Sequence, residues 1–175
     1  MPTPVGHALG GLAAAWFAES AAGKGCRSWA STVPLGMASA AVAMSPDIDI
    51  LFGSHRTYSH SVGAAAAAGI IAWLVVRRRT PRAVAVAVIL AVAYASHVLL
   101  DWLGKDSSNP PGLMALWPFS SRFYISGIDL FAEVSRRYWK PEEFIVGNVQ
   151  VVGRELLILI PVAAVAWLLR SRRTV

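Results

Sequence analysis

Nine side chains in this sequence have the type and spacing to do chemistry: His7, Asp47, Asp49, His55, Arg56, His60, His97, Asp101 and Arg122. His97 and Asp101 stand four apart in Ser96-His97-Val98-Leu99-Leu100-Asp101, so on a helix they project from one side, one turn apart. Such a pair can share a metal ion, or the carboxylate can orient the imidazole of a ligand. Asp47 and Asp49 are two apart after Pro46, and in an extended or turn segment they share a side. His55, Arg56 and His60 fall in Ser54-His55-Arg56-Thr57-Tyr58-Ser59-His60-Ser61, and His7 opens an apolar run. Imidazole nitrogens with carboxylate oxygens suit Zn²⁺, Mn²⁺ or Fe²⁺, with Zn²⁺ foremost.

His7, Asp47, Asp49, His55, His60, His97 and Asp101 are therefore seven potential ligands for a divalent ion. The sequence leaves open which of Asp47 and Asp49 ligates; the other is placed to accept a proton from water. Arg56 and Arg122 offer paired donors for a phosphate, and His55 can protonate a leaving alkoxide. Plainer readings stand beside these: Asp47 capping a turn, and the two arginines touching headgroups or carboxylates. Cys26 is the single cysteine, too few for a disulfide scaffold, and falls away from this set.

These residues must be carried by elements built for lipid. The 175 residues are 55% hydrophobic and only 15% charged, with seven tryptophans. Soluble domains carry about 25% charged residues, so a water-facing shell would be hard to build from this chain. Five apolar stretches, 5–22, 33–44, 61–76, 83–100 and 156–169, exceed ordinary strand length, and the fold class is read as all-α. The expectation is a polytopic membrane bundle of about five helices forming one domain over 1–175, thin or tilted because some runs fall below about 20 residues.

The net charge of +6 raises nucleic acid as a partner, but the positions of the basic residues favour a phospholipid bilayer. Lys24, Arg27, Arg77, Arg78, Arg79, Arg82, Arg170, Arg172 and Arg173 all flank apolar runs. Short basic loops stay cytoplasmic, which predicts a multi-pass protein of the cytoplasmic membrane with its N-terminus out and C-terminus in. Trp16, Trp29, Trp73, Trp102 and Trp167 sit near helix ends, as interfacial indoles do. No basic stretch precedes the first apolar run, so it is read as a span and not a cleaved signal. All the candidate site residues then fall at the outer end.

Between the last two apolar runs lies an aromatic-rich outer segment, about 102–153, read as a lid or cover. Within it Ile128, Phe131, Val134 and Tyr138 have the spacing of an amphipathic helix lying on the bilayer.

The motifs resemble the YdjM-like family of membrane-bound, metal-dependent hydrolases. There an early His is followed by Pro-Asp-x-Asp, His-Arg-x-x-(Ser/Thr)-His-Ser and Ser-His-x-x-x-Asp segments. Here these read as His7, Pro46 to Asp49, His55 to Ser61 and Ser96 to Asp101, with a later Trp117-Pro118-Phe119-Ser120 stretch and Arg122. Thr57 and Tyr58 stand where the family commonly has a glycine-containing pair. A more distant similarity is to bacterial zinc-dependent phospholipase C. It implies one metal among Asp47 or Asp49, His60, His97 and Asp101, and a second at His7 with Asp101 bridging. No histidine follows His97, which limits the count to two. Together the resemblances imply hydrolysis of an ester or phosphoester in a membrane lipid or lipid-linked substrate. The competing expectations are a non-catalytic docking protein with a structural metal, and a transporter; ionisable groups gathered at one end count against transport, which needs them near the midplane.

Overall fold

The computed structural model describes residues 1–22, 35–53, 55–135 and 137–172. Lys24, Cys26, Arg27, Trp29 and Arg173, singled out above, lie outside the described residues.

The described chain forms five α-helices and no strand: α1 Pro4–Ala22, α2 Leu35–Met44, α3 Val62–Val76, α4 Ala83–Leu103 and α5 Pro141–Arg172. A 3-10 helix, Ser45–Phe52, continues α2. Local chemistry sets many of these limits. Thr3 caps α1, its hydroxyl accepting from the Gly6 N–H at 3.3 Å, and Pro4 follows at the first helical position, where a missing N–H costs nothing. Ser61 caps α3 by accepting from the Ala64 N–H. Pro46 stands early in the 3-10 helix, and Gly53 stops it in the left-handed conformation at φ 69°.

α1 is the hub. It packs against α2, α4 and α5, while α3 packs on α4. Glycines permit this closeness: a Cβ on Gly10 would collide with Leu100, and one on Gly11 with that of Ala43. Ala15, Leu35, Val76, Ala83, Val86 and Ile89 share a core cluster at one end of the bundle, opposite His7, His97 and Asp101. Arg77 to Arg82 and Arg170 belong to that same end, where Arg170 pairs with Glu19.

Three helical stretches are long and apolar enough to cross a membrane: Leu35–Phe52, Ala83–Leu103 and Pro141–Arg172. α3 is apolar but only 15 residues long. α1 is not among the three; His7 and Glu19 are polar, but both are buried among neighbouring helices.

Two expectations are corrected. α5 begins at Pro141, so the segment read as a lid or cover ends near residue 140 and not near 153. Its opening is polar, with Glu142 and Glu143 in the first turn favouring the helix dipole without adding hydropathy. The helix expected over Ile128 to Lys140 does not form. That stretch pairs with the end of α4 through Leu130 N–H to Leu103 O and Lys105 N–H to Phe131 O, at 2.9 and 2.8 Å. This pairing drives Phe131 into a core with Leu100 and Leu159.

The close contacts separate two glycines that helix propensity alone would treat alike. Gly153→Ala, with open space around its Cβ, should stabilise the detergent-solubilised protein by up to about 1 kcal/mol. Gly11→Ala should instead destabilise it by about 1–3 kcal/mol through overpacking against α2. Melting curves of the two variants check this; equal shifts would contradict the packing.

Candidate metal centre

His7 comes from α1, Asp47 and Asp49 from the 3-10 helix, His55 and His60 from the loop before α3, and His97 and Asp101 from α4. The structure brings all seven together. His97 and Asp101, one turn apart as their spacing requires, approach to 3.2 Å between Nε2 and Oδ2. His60 Nε2 lies 3.5 Å from Asp101 Oδ2 and 3.5 Å from Asp47 Oδ1. His97 Nε2 is 3.7 Å from Asp47 Oδ1.

Neighbouring donors in this set stand 3.2–3.7 Å apart; the donor atoms that all lie within 4.8 Å of one another are those of His7, His97 and Asp101, and those of Asp47, His55 and His60. The side chains of His60, His97 and Asp101 are wholly buried, and that of Asp47 is 23% exposed. His60 Nε2, His97 Nε2 and both carboxylate oxygens of Asp101 are buried without a hydrogen-bond partner. Buried polar atoms are otherwise almost always paired. The donors fit a divalent cation of the zinc type.

The outer nitrogens of the two imidazoles are held in the way metal-ligating histidines usually are. His97 Nδ1 meets the carbonyl of Ala43 at 2.7 Å. His60 Nδ1 meets Asp49 Oδ2 at 3.1 Å. Asp49 also accepts from Ser59, and its Oδ1 lies 2.8 Å from His55 Nδ1. The two aspartates are placed differently. Asp47 faces His60 and His97, and Asp49 stands behind His60. The expectation that they share a side fails because a 3-10 helix, with three residues per turn, turns residues two apart to different directions.

His7 stacks on His97, ring centroids 3.7 Å apart, and its Nε2 lies 3.4 Å from Asp101 Oδ1. Neither of its nitrogens has a hydrogen-bond partner. Asp101 thus faces His60 and His97 with one oxygen and His7 with the other. Burial works against protonation of His60, but the nearby carboxylates of Asp47, Asp49 and Asp101 outweigh it and raise the imidazole from 6.5 to about 9.

The arginines are placed differently. Arg56 Nη1 donates to Asp106 Oδ2 at 2.6 Å and to the carbonyls of Pro110 and Gly112 at 3.0 Å each. It latches the loop after α4. Arg122 is exposed, and no hydrogen bond or ion pair joins its side chain to the cluster among the described residues. Beyond His55 opens a polar cavity of about 710 Å³, lined by Arg56, Asp106, Glu133, Arg137 and several serines.

Three supports were not recognised in the sequence. The Trp117 stretch anchors α3: Val62 and Gly63 N–H groups donate to the carbonyls of Ala115 and Trp117 at 2.9 Å each. Its signal was the tryptophan–proline pair, which reads equally well as part of a binding surface. Glu19 and Glu155, acids within apolar helices, tie α1 to α5 near its two ends. An acid inside an otherwise apolar run was the signal for both.

A model of the family described as YdjM inner membrane protein matches residues 1–174, and the chain belongs to that family. No curated protein and no solved structure matches it.

The Arg56 latch is testable through Asp106. Burial opposes ionisation of this carboxyl, but bonds from Ser108, from the Ser108 and Gly112 N–H groups and from Arg56 hold it below its ordinary 3.8. A depressed carboxyl contributes stability above its ordinary value and loses it as pH falls through the lower, folded one. Protection factors over residues 105–112, corrected for the intrinsic pH dependence of amide exchange, should therefore hold at neutral pH and fall only in acid below about pH 4. Arg56→Ala should bring fast exchange to neutral pH; unchanged protection in that variant would contradict the latch.

Proposed function

We propose, on the premise of membership in the YdjM inner membrane protein family, that this chain is a multi-pass membrane hydrolase. Its substrate is an ester or phosphoester of a membrane lipid or lipid-linked molecule. Asp47, His60, His97 and Asp101 hold one divalent ion, Zn²⁺ in the first instance, and His7 with the second oxygen of Asp101 supplies donors toward another. The observation that carries the reading is the set of four converging donor atoms from three chain segments, three of them buried with no other partner.

When bound, such an ion acidifies water to a pKa of about 7 and polarises a phosphoryl or acyl oxygen. The chain's own groups do the rest. Asp49 fixes the ring of His60 from behind, so the imidazole presents Nε2 inward. His55 stands between Asp49 and the outer polar cavity, where it exchanges a proton with a reacting group through the nitrogen not bonded to Asp49. Arg56 shapes that cavity by holding its wall and is not free to clamp a phosphate with its whole fork. Arg122 serves as a surface contact to headgroups.

A second reading is favoured by one observation: four protein donors that are almost wholly buried make a closed set, as structural metal sites do, whereas catalytic sites leave a position open. In that case the protein docks or regulates and the metal only stabilises it. Orientation follows from charge: the arginines between α3 and α4 and those closing α5 share the end opposite the cluster, which puts that end in the cytoplasm and the cluster outside, with all five helices crossing.

Purified protein in detergent should carry one to two equivalents of zinc, and a panel of phosphate and carboxylate esters should be turned over in a chelator-sensitive way. His97→Ala and Asp101→Ala should each lower zinc affinity by about 100-fold or more and abolish turnover together with it. Metal without turnover on any ester would favour the closed, structural reading; no metal at all would end both. A reporter fused after Arg79 should read cytoplasmic, and a periplasmic signal would reverse the orientation.

A further inference from the structure

Glu155 is wholly buried in α5, and no step above uses it. Its Oε1 accepts the Thr3 N–H at 2.7 Å, and its Oε2 accepts the Thr3 hydroxyl. Thr3 is the cap of α1: its own hydroxyl receives Gly6 N–H, and its carbonyl receives the N–H of His7 at 3.0 Å. The carboxylate also stands against Gly6, where a Cβ would come within 2.7 Å of Oε2. The first turn of α1 is thus held from both sides of one residue. A carboxylate at the positive end of the helix dipole is favoured there, but burying it among apolar helices is still unfavourable. Plain packing of α1 on α5 would be met more cheaply by a leucine. What the carboxylate adds is a fixed rotation and height for α1, and the residue one turn further along is His7, whose ring lies flat on His97 without any hydrogen bond of its own to orient it.

We infer that Glu155 is a positioning residue for His7: through Thr3 it sets the first turn of α1, and so the place of the His7 imidazole beside Asp101. The affinity part of the test rests on the metal reading above, whereas the exchange part does not. Glutamine can reproduce both contacts, its carbonyl accepting Thr3 N–H and its amide donating to the Thr3 hydroxyl; alanine can reproduce neither.

The test uses the full chain in detergent. Hydrogen exchange over residues 4–11 should quicken at least about tenfold in Glu155→Ala and stay close to the parent rate in Glu155→Gln. Zinc competition should show affinity lowered about tenfold in Glu155→Ala, at the mild end of what removing a supporting group costs, with Glu155→Gln near the parent value. The loss in Glu155→Ala should match that in His7→Ala, and the double variant should lose no more than either alone, because both act through one imidazole. Parent-like exchange in Glu155→Ala overturns the inference, and so do losses that add in full. Should Glu155→Ala fail to fold, Glu155→Asp, one methylene short of Thr3, takes its place with the same expectations. Should the parent chain bind no zinc, the metal reading fails by itself, and the exchange rates alone decide whether Glu155 holds the turn that carries His7.

Discussion

A carboxylate or imidazole set among apolar helices has little water to turn to, and its desolvation must be offset by partners within the protein. Here that constraint gathers His7 of α1, Asp47 and Asp49 of the 3-10 helix, His55 and His60 of the loop before α3, and His97 and Asp101 of α4 into one cluster, in which each carboxylate faces at least one imidazole. The arrangement is only partly self-satisfied. Outer atoms such as His97 Nδ1 and both oxygens of Asp49 have partners, while the inward atoms of His60, His97 and Asp101 have none. The backs of the cluster are fastened, and its fronts converge unpaired.

The scaffold serves that cluster by fastening each contributing segment separately. Small residues on α1 let α2 and α4 come close, and His97 of α4 meets the Ala43 carbonyl of α2. The stretch from Ala115 to Trp117 holds the start of α3, and with it the loop that ends in His60. Tyr94 adds a hydroxyl bond to the carbonyl of Ser59 at 2.7 Å, linking that loop to α4 directly. The ends of the bundle divide their labour: polar chemistry at one, arginines and a compact apolar core at the other.

Much of this was legible in the residues. The limits of α1, α3 and the start of α4 follow the apolar runs, and the i,i+4 spacing of His97 and Asp101 was enough to put them on one side of a helix. What was not legible depended on contacts distant in sequence. The roles of Asp47 and Asp49 hinge on a 3-10 turn that alternation cannot reveal. Residues 128–134 have helical spacing, yet the backbone of α4's end was a better partner than its own turns, and Phe131 was worth more in the core than on a surface. The polar opening of α5 hid fifteen residues of helix, from Pro141 to Glu155, ahead of the apolar run that marked it. Arg56 has the chemistry of a phosphate clamp and the surroundings of a strut.

The shortness of α3 has a physical meaning for whatever approaches the cluster. Fifteen residues rise about 22 Å, well below the roughly 30 Å of a hydrocarbon core. In the proposed orientation the leaflet beside α3 must dip to meet its ends, carrying hydrated headgroups down toward the loop that bears His60. A scissile bond just beneath a headgroup would then arrive at the depth of the imidazoles by sideways diffusion alone, without being drawn up out of the bilayer.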